Sequence, residues 1–407
     1  MDRILVVGTG QAGTEIASSL RSLGHTGPIT MVGDEPCLPY SRPPLSKSLL
    51  RPDTGHDHLW LRRSEFFDEQ KIDLMTSVAV TRVELGAGQA RLSDGRVVEF
   101  DRLALATGST VRRIGVPGAD APEVHYMRTI GDATAFGEAL SSAHRLVVVG
   151  AGFVGLEAAA LACSAGIDVT IVEASDRVVA RSVSPVVSRA ITRHHQEAGV
   201  RFLFDSCVER FGRRPGGRLG VHLDDGTVLP ADVVLVGVGI IPNTSLARQM
   251  GLAVSGGVVV DERAATSDGR VVAAGDCTVH SFNPVGPGNQ HIGSVHNANV
   301  QGKAAARTLL DLPEAGREVP WFWSDQGALK LQTVGISDTA DDLLVLGDED
   351  GTSFTVLHFR NDVLVAADCL GRAADFAQVR RALSKKFIRT RSDFEGPGPA
   401  LKEVLSA

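Results

Sequence analysis

An α/β fold with two βαβ units in series, followed by a smaller α+β domain, is what the sequence predicts. Three features predict it. An apolar strand runs into a Gly-x-Gly-x-x-Gly turn twice, at residues 8–13 and 150–155, about 140 residues apart. Each turn is followed by a helical stretch and then by a second apolar strand that ends at an acid. Beyond residue 319 clustered aromatics and short strands replace that pattern. The repeated unit is Rossmann-like, so the chain is expected to hold two dinucleotides.

In chain order, Ile4-Leu5-Val6-Val7 is a continuous apolar strand of the kind buried in parallel sheets. The turn Gly8-Thr9-Gly10-Gln11-Ala12-Gly13 leads to a helix over about residues 14–23, and strand 29–32 ends against Asp34 and Glu35. Strand 103–105 closes on Ala106-Thr107-Gly108, and Pro117-Gly118 reads as a linker. The second unit repeats the order. Strand 146–149 meets the turn Gly150-Ala151-Gly152-Phe153-Val154-Gly155, a helix runs over 157–165, and strand 169–172 ends at Glu173. Two later apolar strands, 233–239 and 271–276, end respectively in glycines before Pro242-Asn243 and at Asp276.

From residue 319 onward Trp321, Phe322 and Trp323 cluster, strands are expected around Val334, 345–346, 354–357 and 363–365, and a helix over 374–387. Residues from Ser392 on are rich in glycine and proline and are expected to be loosely held. The expected domains are 1–110 with 243–318, then 111–242, then 319–407.

Composition narrows the function classes. The 407 residues suffice for two or three domains, and 43% hydrophobic with 22% charged is an ordinary globular balance. A net charge of −7 argues against nucleic-acid binding. The first residues pass straight into a strand pattern without the basic and apolar regions of a signal peptide. No run reaches the length of a membrane helix. Cysteines 37, 163, 207, 277 and 369 are scattered and odd in number, neither a disulfide framework nor a metal site. A cytoplasmic protein without a metal is expected.

The glycines have separable tasks. Gly8 and Gly150 make the tight turn, Gly10 and Gly152 admit a pyrophosphate, and Gly13 and Gly155 let helix and strand approach. Helix N–H groups then face the negative charge. Glu173 is suited to accept hydrogen bonds from ribose hydroxyls and would repel a 2′-phosphate, which favours NADH over NADPH. Arg177 and Arg181 lie nearby and moderate that preference. In the first unit the acid is Asp34 or Glu35; Glu35 is the choice, with Asp34 a capping or turn residue.

With those residues placed, the chain resembles the oxygenase-coupled, FAD- and NADH-dependent ferredoxin reductases (putidaredoxin reductase-like) over almost its whole length. The most specific piece is Pro39-Tyr40-Ser41-Arg42-Pro43-Pro44-Leu45-Ser46-Lys47. Supporting pieces are Ala106-Thr107-Gly108, Gly237-Val238-Gly239 with Pro242-Asn243, Ala274-Gly275-Asp276 with Asn283-Pro284, and Phe322-Trp323-Ser324-Asp325-Gln326. The resemblance implies two glutathione reductase-like Rossmann domains for FAD and NAD. It implies cofactor contacts at Gly8, Gly10, Gln11, Ala12, Gly13, Glu35, Arg42, Lys47, Val80, Ala106, Thr107, Gly108, Arg128, Gly150, Gly152, Phe153, Val154, Gly155, Glu173, Gly239, Asp276, Val295 and Trp323. Asp276 would bind the ribityl chain and Trp323 would lie near the isoalloxazine.

By the same resemblance Lys47 sits near the flavin N5 edge with Glu157 facing it, a catalytic pair that supports hydride transfer. Read without it, Lys47 is a loop cation and Glu157 an ordinary first-turn helix acid. Thiol-reducing relatives carry paired cysteines near this loop, whereas only Cys37 stands here, beside Pro36. The electrons are therefore expected to leave one at a time for an external iron–sulfur ferredoxin, an acidic one if Arg380, Arg381, Lys385, Lys386, Arg389 and Arg391 form a docking patch on the last helix. A solvated helix face is the plainer reading of those charges. The protein is expected to be a monomer or homodimer.

The sequence also departs from the family pattern. His291, Gly293, Val295 and Gly327 stand where an arginine, a glutamate and two aromatics are usual. Those changes leave a second function open: a flavin oxidase, or a flavoenzyme acting directly on a small biosynthetic metabolite, with His291 or His296 in its pocket. A non-catalytic FAD- or NAD-binding protein is a third, against which the retained Lys47, Glu157 and Asp276 count.

Overall fold

The computed structural model describes residues 2–50, 55, 57–214, 216–281, 290–314, 316, 318–385, 387–394 and 401–406. These divide into two compact units: Met1–Ser41, His56–Thr110 and Ile241–Pro320 form one, and Arg42–Gly55, Val111–Ile240 and Trp321–Ala407 the other.

In the first unit five parallel strands are ordered Val271–Ala273, Arg102–Leu105, Ile4–Val7, Ile29–Val32 and Ile72–Met75. The central strand Ile4–Val7 is buried at all four positions, which explains why its sequence is apolar throughout rather than alternating. Its alternate residues nevertheless serve two cores. Ile4 and Val6 join Ile29, Met31, Ala104 and Val272 beneath Ile16, Leu20 and Leu309 of the helices Gln11–Ser22 and Val295–Leu309. Leu5 and Val7 turn the other way, toward Val83, Leu92 and Phe100 of an antiparallel insertion made by Val80–Glu84, Gln89–Leu92 and Val97–Glu99.

The second unit repeats this order in four of its five strands, its edge strand Val124–Tyr126 preceding the others in the chain where Val271–Ala273 follows them. Its parallel sheet runs Arg201–Leu203, Asp168–Val172, Arg145–Val149, Val233–Val236 and Val124–Tyr126. An antiparallel insertion, Val208–Arg213, Leu219–Leu223 and Val228–Ala231, again follows the outermost strand. The same unit carries a five-stranded antiparallel sheet, ordered Trp321–Gln326, Leu329–Gly335, Val363–Leu370, Phe354–Arg360 and Asp342–Gly347. The helix Ala373–Ser384 buries Phe376, Val379 and Ala382, its i, i+3 and i+6 stripe.

The boundaries differ from expectation in consistent ways. Both glycine-turn helices begin earlier, at Gln11 and Phe153, because Gly13 and Gly155 sit inside the first turn instead of before it. Helix propensity disfavours glycine there, and packing overrides it. The strands expected at 233–239 and 271–276 stop at Val236 and Ala273, where the chain leaves each sheet toward Gly239 and Asp276. Trp321, Phe322 and Trp323 are themselves strand residues. The helix expected over 374–387 ends at Ser384, so Arg389 and Arg391 are not on it. Among the described residues no helix is long and apolar enough to cross a membrane.

Candidate functional site

In an open parallel sheet, ligands bind beyond the carboxyl ends of the strands, where the strand order reverses. In the first unit that point lies between Ile4–Val7 and Arg102–Leu105, and four loops meet at this edge. Gly8 has φ +111°, and a Cβ on it would stand 2.1 Å from the Ala106 carbonyl oxygen. A Cβ on Gly13 would stand 2.0 Å from the Gly8 oxygen. At Gly10 a Cβ would meet nothing within 4 Å, so this glycine faces open space rather than protein. Gly10 caps the helix Gln11–Ser22 without a side-chain bond, and the first helical turn holds no acid. The N–H groups and the helix dipole are thus presented to an anion, as a pyrophosphate requires.

The other loops are fastened around this opening. Tyr40 donates to Glu35 at 2.5 Å. Thr107 Oγ1 donates to the Asn243 carbonyl and Asn243 Nδ2 returns a bond to the Thr107 carbonyl, both at 2.8 Å, fixing Ala106, Thr107 and Gly108. Ser109 donates to Asp276 at 3.1 Å, and the His291 ring meets the Asp276 carbonyl at 3.0 Å. Gln11 is turned to Asn299, Ala12 is buried, and Val80 and Val295 are half-buried where a strand and a helix begin. Gln301 escaped the sequence reading as a site residue, yet its Oε1 accepts from the Gly275 N–H, Thr278 and Asn297 and so holds the loop that carries Asp276.

The second edge is built alike. Gly150 has φ +98°, and a Cβ there would lie 2.7 Å from the Gly237 oxygen; one on Gly155 would lie 2.6 Å from the Gly150 oxygen. The Gly152 Cβ would approach only the Gly237 oxygen, at 3.8 Å. Gly239, at φ +111°, also opens onto free space. Phe153 packs on Phe322 with ring centres 4.6 Å apart, while the apolar Val154 is 41% exposed in the first helical turn. Glu173 is pinned by the Ala151 N–H at 2.6 Å and the Ser175 N–H at 2.8 Å, one on each oxygen. Arg177 spends its guanidinium on the Ala180 and Val183 carbonyls, whereas Arg181 is exposed. Arg42 donates to the Arg128 carbonyl at 2.6 Å.

Also within the second unit, Lys47 and Glu157 meet. Pro43 and Pro44 preset φ in the short 3₁₀ turn Pro43–Ser46, which delivers Ser46 and Lys47 together. Lys47 Nζ lies 2.8 Å from Glu157 Oε1. Ser46 donates to Glu157 Oε2 and Ser324 to Oε1, each at 2.5 Å. A buried carboxylate without such partners would cost several kcal/mol. Trp323, next to Ser324, is half-buried beside Trp321 and Phe322. Neither serine had been marked by the sequence as part of the pair.

The remaining candidates fall elsewhere. No disulfide joins any of the five cysteines; burial pushes Cys277 up, and Cys369 up to about 12, so both stay protonated and inert. His296 is buried, 3.8 Å from Glu318. Gly327 has φ +64° in the turn between two strands, a conformation that accounts for a glycine there. The basic stretch is not one helix face: Arg380 stacks over Trp321, Arg389 bonds the Val404 carbonyl and Arg391 pairs with Asp342. Arg381 and Lys385 are exposed. Asn283, Pro284 and Lys386 lie outside the described residues. No cluster of His, Cys, Asp and Glu among the described residues suits a metal ion.

Known proteins resemble this chain in sequence and in fold. The family described as pyridine nucleotide-disulphide oxidoreductase matches residues 2–302, and the reductase C-terminal family matches residues 321–405. Rhodocoxin reductase of Rhodococcus erythropolis is 41% identical over 387 residues, 95% of this chain and 90% of that protein. Putidaredoxin reductase of Pseudomonas putida is 36% identical over 412 residues, 100% of this chain and 97% of that protein. In the crystal structure of the covalent putidaredoxin reductase–putidaredoxin complex, a chain 35% identical superposes with a TM-score of 0.95, covering 100% of this chain and 98% of its own. The chain therefore belongs to the pyridine nucleotide-disulphide oxidoreductase family, among its putidaredoxin reductase-like ferredoxin reductases.

Proposed function

We infer that this protein is an FAD-dependent reductase that takes a hydride from NADH and passes the electrons singly to a ferredoxin, which serves a cytochrome P450 or ring-hydroxylating oxygenase. The observation that carries this reading is the pair of glycine turns, each over a five-stranded parallel sheet and each with its middle glycine clear of close protein contact. FAD, when bound, accepts two electrons as a hydride and releases them one at a time. The chain's own residues bind, orient and exclude water.

We assign FAD to the first turn. Gly8, Gly10, Gln11, Ala12 and Gly13 would hold its pyrophosphate region and Glu35 its ribose. Val80, Ala106, Thr107, Gly108, Asp276 and Val295 belong to the same unit and would contact FAD there; the family resemblance gives Arg42, Lys47, Arg128 and Trp323 as further cofactor contacts. NADH goes to Gly150, Gly152, Phe153, Val154, Gly155, Glu173 and Gly239. Both Glu173 oxygens already take backbone N–H bonds, which hold the carboxylate beside the turn, and Arg177 is committed to carbonyls. A 2′-phosphate would meet a fixed negative charge, so NADH is favoured. Lys47 and Glu157 support the hydride transfer, the ammonium favouring electron density that arrives on the flavin.

The finer reading is a glutathione reductase-like arrangement with FAD domain 1–110 and 243–318, NADH domain 111–242 and C-terminal domain 319–407, acting in the cytoplasm as a monomer or homodimer. Three separate five-stranded sheets support that division. The exposed Arg381 and Lys385 support an acidic ferredoxin as partner.

Anaerobic stopped-flow mixing with NADH tests the function. Rapid bleaching of the flavin, then one-electron reduction of an added ferredoxin with slow oxygen consumption, is expected. A flavin that NADH does not bleach refutes the reading. Fast stoichiometric peroxide formation would instead make the protein an oxidase.

A further inference from the structure

The hydrogen bonds behind Glu157 do not stop at Ser324. Gln326 Nε2 donates to Ser324 Oγ at 2.7 Å, and Gln326 Oε1 lies 3.1 Å from His195 Nε2. Ser324 and Gln326 are two residues apart on the strand Trp321–Gln326 and therefore share a face, while His195 comes from the helix Pro185–Glu197. Ser324, Gln326 and His195 are each 0% exposed. Nothing in the hydride-transfer reading requires a buried polar row at this place, and an apolar interior would be the cheaper one.

The direction of the row follows from one atom. His195 Nδ1 is buried and has no hydrogen-bond partner among the described residues. Burial lowers His195 to about 4, opposed by its bond to Gln326 and reinforced by His194, so the ring is neutral. A neutral imidazole carries a single N–H, and an unpaired buried N–H is costly, so the proton sits on Nε2. Nε2–H then donates to Gln326 Oε1, which orients the amide so that its NH₂ donates to Ser324. The Ser324 hydroxyl, with its lone pair engaged, turns its proton to Glu157 Oε1. Every donor points toward the carboxylate.

We propose that Ser324 and Gln326 are positioning residues for the Lys47–Glu157 pair, members of a one-way donor row that starts on the His195 ring and holds the carboxylate in the orientation that engages Lys47. The proposal rests on the reading that Lys47 and Glu157 support hydride transfer. Without the Ser324 hydroxyl, Oε1 would keep Lys47 alone, and the Gln326 amide would lose its acceptor in a dry interior.

The test uses the FAD-loaded protein, with NADH-driven flavin reduction followed by anaerobic stopped flow. Ser324→Ala should slow the limiting reduction rate about tenfold, the scale of one hydrogen bond to a charged group, without changing NADH affinity. Ser324→Thr, which keeps the hydroxyl, should recover most of it. Glu157→Gln should slow reduction more, and adding Ser324→Ala to it should cost nothing further. Independently of turnover, the ¹⁵N shifts of His195 at neutral pH should report the Nε2–H tautomer, and Gln326→Leu should alter them.

Wild-type rates in Ser324→Ala and Gln326→Leu, with Glu157→Gln slow, would overturn the proposal and leave the Lys47–Glu157 reading standing. A wild-type rate in Glu157→Gln would remove that reading and the proposal with it. Equal losses in the alanine and threonine variants, or an Nδ1–H tautomer, would also overturn it. Should Ser324→Ala not retain FAD, Gln326→Leu and the His195 shifts still decide.

Discussion

At Gly10 and Gly152 an added Cβ would project into space, whereas at Gly8 and Gly13 it would meet a carbonyl oxygen at 2.1 and 2.0 Å. The same substitution should therefore have two different outcomes. Gly8→Ala and Gly13→Ala should compromise folding, seen as lost circular-dichroism signal or a sharply lower Tm. Gly10→Ala should fold but carry little FAD, read from visible absorbance, and Gly152→Ala should keep FAD and bind NADH about tenfold more weakly, the scale of one displaced charge-assisted contact. Equal stability losses in all four variants would refute this division. Glu173→Gln keeps one acceptor and loses the charge, so the ratio of kcat/KM for NADH over NADPH should fall. His195 supplies a pH dependence. Folding lowers it from 6.5 to about 4, so the unfolded chain takes up a proton that the folded chain refuses. Stability should be unaffected above about pH 6.5 and decline toward pH 4, by roughly 3 kcal/mol in total. Urea melts at neutral pH and near pH 5 should show a steeper loss in the wild type than in His195→Phe.

The elements reveal where local patterns mislead. The glycine-turn helices begin at Gln11 and Phe153, inside stretches that helix propensity marks as turn, because the close approach of Gly13 and Gly155 to the preceding strand depends on the sheet behind them. The helix Ala373–Ser384 stops short of Arg389 and Arg391, which are spent on structure. Arg389 holds the Val404 carbonyl of the helix Leu401–Ser406, so Arg389→Gln should loosen that helix and raise its amide exchange. Arg381 and Lys385 remain outward. Converting both to glutamine should lower the rate of ferredoxin reduction at low salt and flatten its salt dependence, while reduction of the flavin by NADH is unchanged. An unchanged salt slope would remove the docking role.

For the whole molecule, the first turn lies in one compact unit and the second in the other, each on its own parallel sheet. Cofactor binding should stabilise the folded chain by mass action. Removing FAD should lower Tm, and FAD at about a hundredfold over its Kd should restore roughly 2.7 kcal/mol. A Tm indifferent to FAD would contradict the assignment of the first cradle. The net charge of −7 keeps nucleic acid an unfavoured partner while allowing the local basic pair at Arg381 and Lys385.

The glycine turns and the apolar strands before them were legible because each depends on neighbours a few residues away and on a period of two or 3.6. Lys47 and Glu157 could be paired in advance only through resemblance. That Ser46 stands 111 residues from Glu157, and Ser324 167 residues beyond it, shows why their shared carboxylate was not legible. Which buried donor meets which acceptor is chosen by packing among a loop, two helices and a strand, and nothing in local spacing encodes it. The two dinucleotide turns were determined by the sequence itself; the partners of Glu157, and the His195 row behind it, were decided by the tertiary structure.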